Sequence, residues 1–131
     1  MSFTALTQTM TISSDLPTHF NENFRKARFQ NISTQTSTFT VFSDDATGSP
    51  KDIYLVTTGS SAVTANLPAA GSDYTGRVVT IFKADSGSGA VTIDGNSGET
   101  INGSTTVALS SQYNYRTIIC DGTNWLVISS S

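Results

Sequence analysis

The chain has one cysteine, Cys120, and one histidine, His19. A single thiol rules out a disulfide within the chain. One His and one Cys also fall short of the several ligands a zinc site takes. Cys120 ends an apolar run, and free cysteine is among the most buried residue types. It is therefore expected to be a small core residue and not a nucleophile, since no convincing base accompanies it. Charge is scarce too. Asp, Glu, Lys and Arg make up 13% of the residues, about half the usual share. The formal net charge is -3, which argues against a nucleic-acid partner, because binding a phosphate backbone needs a basic face. Long hydrophobic runs are missing. The longest is a handful of residues, against the roughly 20 that a membrane-spanning helix needs, so no membrane insertion is expected. No basic segment followed by an apolar block opens the chain, so synthesis in the cytoplasm is expected.

Serine and threonine stand where charge is lacking, at roughly three residues in ten, a share that in other contexts signals low complexity. Here Thr alternates with apolar residues, as in Phe39-Thr40-Val41-Phe42 and Val79-Thr80-Ile81, and that alternation is strand chemistry. From residue 53 to 128 the pattern becomes a succession of short strands cut off by turns. Val78-Val79-Thr80-Ile81-Phe82 is broken by Gly87-Ser88-Gly89. Val91-Thr92-Ile93 is ended by Asp94-Gly95, and Asp121-Gly122 leads into Trp125-Leu126-Val127-Ile128. β-Branched and aromatic residues suit a pleated, half-buried surface, and Asp-Gly supplies the positive φ that tight turns need. Strands recurring at this spacing predict an all-β sandwich or barrel.

The first part of the chain differs. Residues 1–14 are polar and Thr-rich and read as an arm or tail. Ser14-Asp15-Leu16-Pro17 resembles a helix start, with a capping side chain and a proline in the first turn. Phe20 and Phe24 then fall on one helical face. Arg25, Lys26 and Arg28 follow, so residues 1–43 carry about +1 and residues 44–131 about -4. The cations read either as a solvated helix end near the negative pole of the dipole or as a docking surface for an acidic partner. Phe42 is followed by a loop rich in Asp, Gly, Ser and Pro. This divides the chain into an N-terminal arm with one short helix, 1–43, and a β-sandwich domain, 44–131.

Catalytic patterns are weak. Asp94 and Glu99 are close in sequence, but Asp94 belongs to a turn signal. Gly87-Ser88-Gly89 lacks the Lys and the helix of a phosphate loop. Asp44-Asp45 is a lone pair and not a calcium loop. Tyr113 and Tyr115 read as one packed strand face, with stacking on a sugar ring as the alternative. The chain is expected to be no enzyme and to take no metal or cofactor.

Several segments together carry a resemblance: Ala62-Val63-Thr64 leading to Leu67-Pro68-Ala69-Ala70, then Gly76-Arg77-Val78-Val79-Thr80-Ile81, Val91-Thr92-Ile93-Asp94-Gly95, Thr100-Ile101-Asn102-Gly103 and the closing Cys120-Asp121-Gly122-Thr123-Asn124-Trp125. In this order they resemble a β-domain of tailed-phage virion proteins, found in tail fibres, tail spikes, head fibres and capsid decoration proteins. The resemblance covers roughly residues 53–129. It implies a jelly-roll-like antiparallel β-sandwich, a homotrimer, and a structural or adhesive role without catalysis. The short chain, with no shaft or repeats, fits a capsid decoration (cement) protein on the capsid exterior, bound to the major capsid protein or another virion protein. The alternative is a short tail-fibre or spike adhesin that binds host surface glycan. The N-terminal part lies outside the resembling region and pairs a basic cluster with aromatics, the usual anchors of interfaces. Phe20, Phe24, Arg25, Lys26, Arg28 and Phe29 are therefore the expected capsid-binding residues.

Overall fold

The computed structural model describes residues 30–45 and 48–131. The expected helix and all six expected capsid-binding residues lie outside them. The unit Asn31–Ser131 is mostly β. Its strands, among the described residues, are β1 (Ile32–Gln35), β2 (Phe39–Thr40), β3 (Ile53–Val56), β4 (Val63–Asn66), β5 (Val78–Lys83), β6 (Val91–Asp94), β7 (Thr106–Leu109), β8 (Tyr115–Cys120) and β9 (Trp125–Ser130). They form two sheets, ordered β1-β3-β5-β8-β9 and β2-β4-β6-β7.

The chain alternates between the sheets as far as β6. Like strands of successive passes therefore lie side by side and parallel. Ile32 sits beside Ile53 and Ile53 beside Thr80 in the first sheet, while Phe39 sits beside Ala65 and Ala65 beside Ile93 in the second. The direction then reverses. β7 runs antiparallel along β6, β8 along β5, and β9 folds back on β8 as a hairpin.

Both sheets are thus mixed, and the expected antiparallel jelly-roll pairing does not describe them. Turn chemistry explains the difference. Asp121-Gly122 does close a hairpin, with Gly122 at φ +98. The turns around Gly59 and Gly87, in contrast, carry the chain from one sheet to the other. A turn residue sets where the chain reverses, not which sheet the next strand joins.

One core lies between the sheets. Tyr54, Val56, Val79, Ile81, Ile118 and Trp125 come from the first sheet, and Val63, Ala65, Val91, Ile93 and Leu109 from the second, all in a single buried cluster. Cys120 belongs to it as well. The alternation of buried and partly exposed positions along β3 to β6 follows the period of two that a pleated strand imposes. Each fully buried aliphatic side chain contributes about 1.5–3 kcal/mol.

The domain boundary moves with this finding. The unit begins at Asn31, and β1 and β2 are the outer parallel strands of the two sheets. Val41 and Phe42, at 1% and 2% exposure, are core residues. Residues 31–43, read from sequence as part of an arm, are integral to the β-unit. The polar loop after Phe42 marked a local break in periodicity, but long-range strand pairing crosses it.

Candidate functional site

Three side-chain clusters and one surface hold the chemistry of the described residues. The first cluster ties the β3–β4 turn to the β5–β6 turn. Val79, Ile81 and Lys83 all face inward from β5, and Lys83 is fully buried. Its ammonium donates to Thr58 Oγ1 at 2.7 Å and to Asp85 Oδ1 at 3.0 Å. Thr58 in turn donates its hydroxyl to the Gly89 carbonyl at 2.9 Å. Asp85 accepts the backbone N–H groups of Thr58, Gly59 and Gly87 at 3.0, 2.8 and 3.2 Å. The N–H donors of Thr58 and Gly59, helped by Lys83, hold its carboxyl well below the usual carboxylate range. Every named group is engaged by another within the cluster, so the arrangement acts as a clasp between turns. Gly87-Ser88-Gly89 is part of this clasp and not a phosphate loop. A Cβ at Gly87 would collide with the Gly59 carbonyl, and one at Gly89 with the Ser61 backbone.

The second cluster surrounds Phe42, whose backbone sits in the left-handed region at φ +64. That conformation is unusual for an aromatic residue, and three contacts hold it. The Phe42 N–H donates to Tyr54 Oη at 2.7 Å, its ring stacks on Tyr74 at 5.4 Å, and the Arg77 guanidinium lies 3.9 Å from the ring centroid. Arg77 also pairs with Asp45 at 2.7 Å and donates to the Lys51 carbonyl at 3.0 Å. Burial pushes the Tyr54 phenol up. Asp45, read from sequence as half of a lone acidic pair, is bound to Arg77.

The third cluster is built by the closing Asp121-Gly122-Thr123-Asn124-Trp125. Asp121 Oδ1 accepts the N–H groups of Asn124 and Thr123, both at 2.8 Å, and they hold its carboxyl below the ordinary value. Asn124 Oδ1 accepts the Thr100 N–H at 2.7 Å, Asn102 Oδ1 accepts the Val127 N–H at 2.9 Å, and Trp125 is fully buried. These residues lock the last hairpin to the segment after β6. Glu99 has a similar duty, accepting the Ala70 N–H at 2.8 Å. Among the described residues no group of three His, Cys, Asp or Glu could hold a metal ion.

The surface is the outer face of the first sheet. Strand pairing aligns Val78 with Ile119 and Leu126, Ile32 with Ile53, Thr80 and Thr117, and Thr34 with Leu55, Phe82 and Tyr115. The pleat points these side chains away from the buried core. Thr80 and Thr117 share a hydrogen bond at 2.8 Å, and the Tyr113 ring lies 6.1 Å from that of Phe82. Ile32, Tyr113, Leu126 and Ile128 are 55%, 64%, 42% and 56% exposed. None of these outward strand residues is Asp, Glu, Lys or Arg. The outer face of the second sheet is different, with Thr64, Asn66, Thr92, Asp94 and Thr106.

Part of this contrast is legible in the sequence. β4 and β6, VTAN and VTID, alternate cleanly, as strands buried on one face do. β3 and β5, IYLV and VVTIFK, are nearly continuous apolar runs, which is the pattern of strands covered on both faces. Lys83 was findable in the same way, as the one cation at an inward position of such a run. Comparison with protein-family models and with curated protein sequences finds no match for this chain.

Proposed function

We propose that this protein is a structural virion component of a tailed phage, a capsid decoration protein that binds and stabilises the assembled capsid. The observation that carries the reading is the apolar, uncharged outer face of the first sheet on an otherwise polar β-unit. Such a face marks a part made to be covered in an assembly. The sequence resemblance to phage virion β-domains supports it from a separate direction. The three polar clusters support it as well, because each connects one segment of the β-unit to another. Binding the assembled shell and not its free subunits stabilises the shell by mass action. Attachment falls to the N-terminal part, with Phe20, Phe24, Arg25, Lys26, Arg28 and Phe29 in contact with the capsid.

The address of the protein in the virion tests this. Heads and tails of the encoding phage are purified apart, and copies per particle are counted by quantitative mass spectrometry. Hundreds of copies on heads are expected, and heads stripped of the protein should melt at lower temperature. A few copies confined to tails would replace the reading with a tail-tip adhesin. Changing Arg25, Lys26 and Arg28 to Ser should weaken head binding and reduce its salt dependence, because exposed charges are screened beyond about 8 Å at physiological salt.

A further inference from the structure

We propose that Asn102 is a site of spontaneous covalent modification. The Gly103 backbone nitrogen attacks its side-chain amide, ammonia leaves, and the position becomes aspartate or isoaspartate. The proposal rests on one turn and is independent of any role in a virion. Asn102-Gly103 is the one Asn-Gly step in the chain. It forms the two-residue tip of a small hairpin. Ile101 donates to the Ser104 carbonyl at 2.7 Å and Ser104 to the Ile101 carbonyl at 3.1 Å, and φ is positive at both tip residues. Both are exposed.

The nucleophile and the electrophile are each prepared. The Gly103 N–H donates to no group among the described residues. A Cβ at Gly103 would meet nothing within 4 Å, so the surroundings are open. Asn102 Oδ1 accepts the Val127 N–H at 2.9 Å. Negative charge gathers on this oxygen when the nitrogen adds, and a donor already aimed at it stabilises that charge. The related steps each lack a part. The Gly95 N–H is engaged by the Thr105 carbonyl at 2.9 Å, which occupies the nitrogen after Asp94. The Gly122 N–H is engaged by Cys120 Sγ at 3.4 Å, and Asp121 is an ionised carboxylate, a poor electrophile, held by Thr123 and Asn124. Asn124 Oδ1 accepts the Thr100 N–H at 2.7 Å, but the next nitrogen belongs to buried Trp125 and donates to the Thr100 carbonyl at 2.9 Å.

In the reaction a bond forms between Gly103 N and Asn102 Cγ, and the bond from Cγ to Nδ2 breaks. The proton of Gly103 N passes through solvent, and Nδ2 departs as ammonia. Water then opens the five-membered imide at either carbonyl. Opening at Cγ gives aspartate, which keeps an acceptor for Val127. Opening at the main-chain carbonyl gives isoaspartate. The main chain then runs through Cβ and Cγ, and Val127 loses its acceptor. Val127 lies between Leu126 and Ile128 in β9, so this product loosens the edge of the first sheet.

The full chain is held in mildly alkaline buffer, and its tryptic peptide 84–116 is followed by mass spectrometry with electron-transfer fragmentation. The mass gain of an amide turned acid should appear at Asn102 before Asn96 or Asn114. It should grow faster as pH rises, because the attacking nitrogen must lose its proton. Hydrogen exchange at the Val127 N–H should quicken in the isoaspartate fraction. Gly103→Ala crowds the nitrogen and should slow the gain at least about tenfold, a rise in barrier of about 1.4 kcal/mol. Gly103→Asp makes the same comparison if the alanine variant fails to fold, since Asp tolerates positive φ. A folded chain that stays unmodified at Asn102 overturns the proposal, and conversion of the same chain in urea would then show that the turn shields the step. Earlier conversion at Asn96 or Asn114 overturns it as well, as does an unchanged rate in a folded Gly103 variant.

Discussion

Asp85 shows how one side chain can organise two turns. Its carboxylate collects backbone N–H groups from both turns and the Lys83 ammonium beside them. The N–H donors of Thr58 and Gly59, and then the Lys83 ammonium, favour the charged form and lower its pKa. A group whose folded-state pKa lies below its unfolded value stabilises the fold above the unfolded value, near 4, and loses that contribution as pH falls through the folded one. Stability from this source should be flat from pH 7 to about pH 5 and decline below about pH 4. Asp121 is lowered in the same direction and adds to the same limb. Asp85→Asn should lower the melting temperature at pH 7, because the amide cannot offer two acceptor oxygens. It should also shrink the loss between pH 5 and pH 2, since one titrating group is gone. Melting curves followed by circular dichroism across this range provide the check, and parallel profiles for the two proteins would contradict the assignment. The Tyr54 phenol works at the other end. Burial raises its pKa, so its contribution is present below about pH 10 and is lost as pH rises through the folded value.

At the scale of elements, the parallel passes of the chain require turns that stack closely. The Gly89 N–H donates to the Gly59 carbonyl at 3.0 Å, so the two crossovers lie backbone against backbone. Glycine is needed at Gly89 for space, since a Cβ there would meet the Ser61 carbonyl, carbon and nitrogen together. Backbone cannot yield as a flexible side chain can. Gly89→Ala is therefore expected to destabilise by about 1–3 kcal/mol or more, the range of overpacked sites. Gly71→Ala is the control, because a Cβ there meets nothing within 4 Å. Urea unfolding of the two variants gives the comparison. Equal midpoints would show that the crossovers are looser than the structure has them.

For the whole molecule, the decisive matter is where the folding unit begins. β1 and β2 pair with β3 and β4, and Val41 and Phe42 fill the core. A fragment of residues 31–131 should fold, with a cooperative melt. A fragment of residues 44–131 loses both outer strands, two core side chains and the partner of the Tyr54 hydroxyl. Deleting core side chains of this size costs about 2–5 kcal/mol each, against a total stability of about 5–15 kcal/mol for an ordinary domain. The shorter fragment should be unfolded or melt far lower. Equal, cooperative melts for both would return the boundary to residue 43.

The sequence by itself determined what depends on near neighbours. Alternation along Val63-Thr64-Ala65-Asn66 and Val91-Thr92-Ile93-Asp94 made these residues strands with one buried face. Asp121-Gly122 made a hairpin, and the burial of Cys120 followed from the apolar run it ends. Only the tertiary structure decided which strands became partners. Ile32 pairs with Ile53, and Ile53 with Thr80, across separations that no local signal records. Whether a turn returns to its own sheet or crosses to the other depends on core packing, which is a property of all the strands together. The apolar runs of β3 and β5 show that both faces are apolar, but not which residues share the outer one. An apolar residue at an outward position of β3 or β5 looks like any core residue until pairing shows that Leu55, Phe82 and Ile119 share the side away from the core.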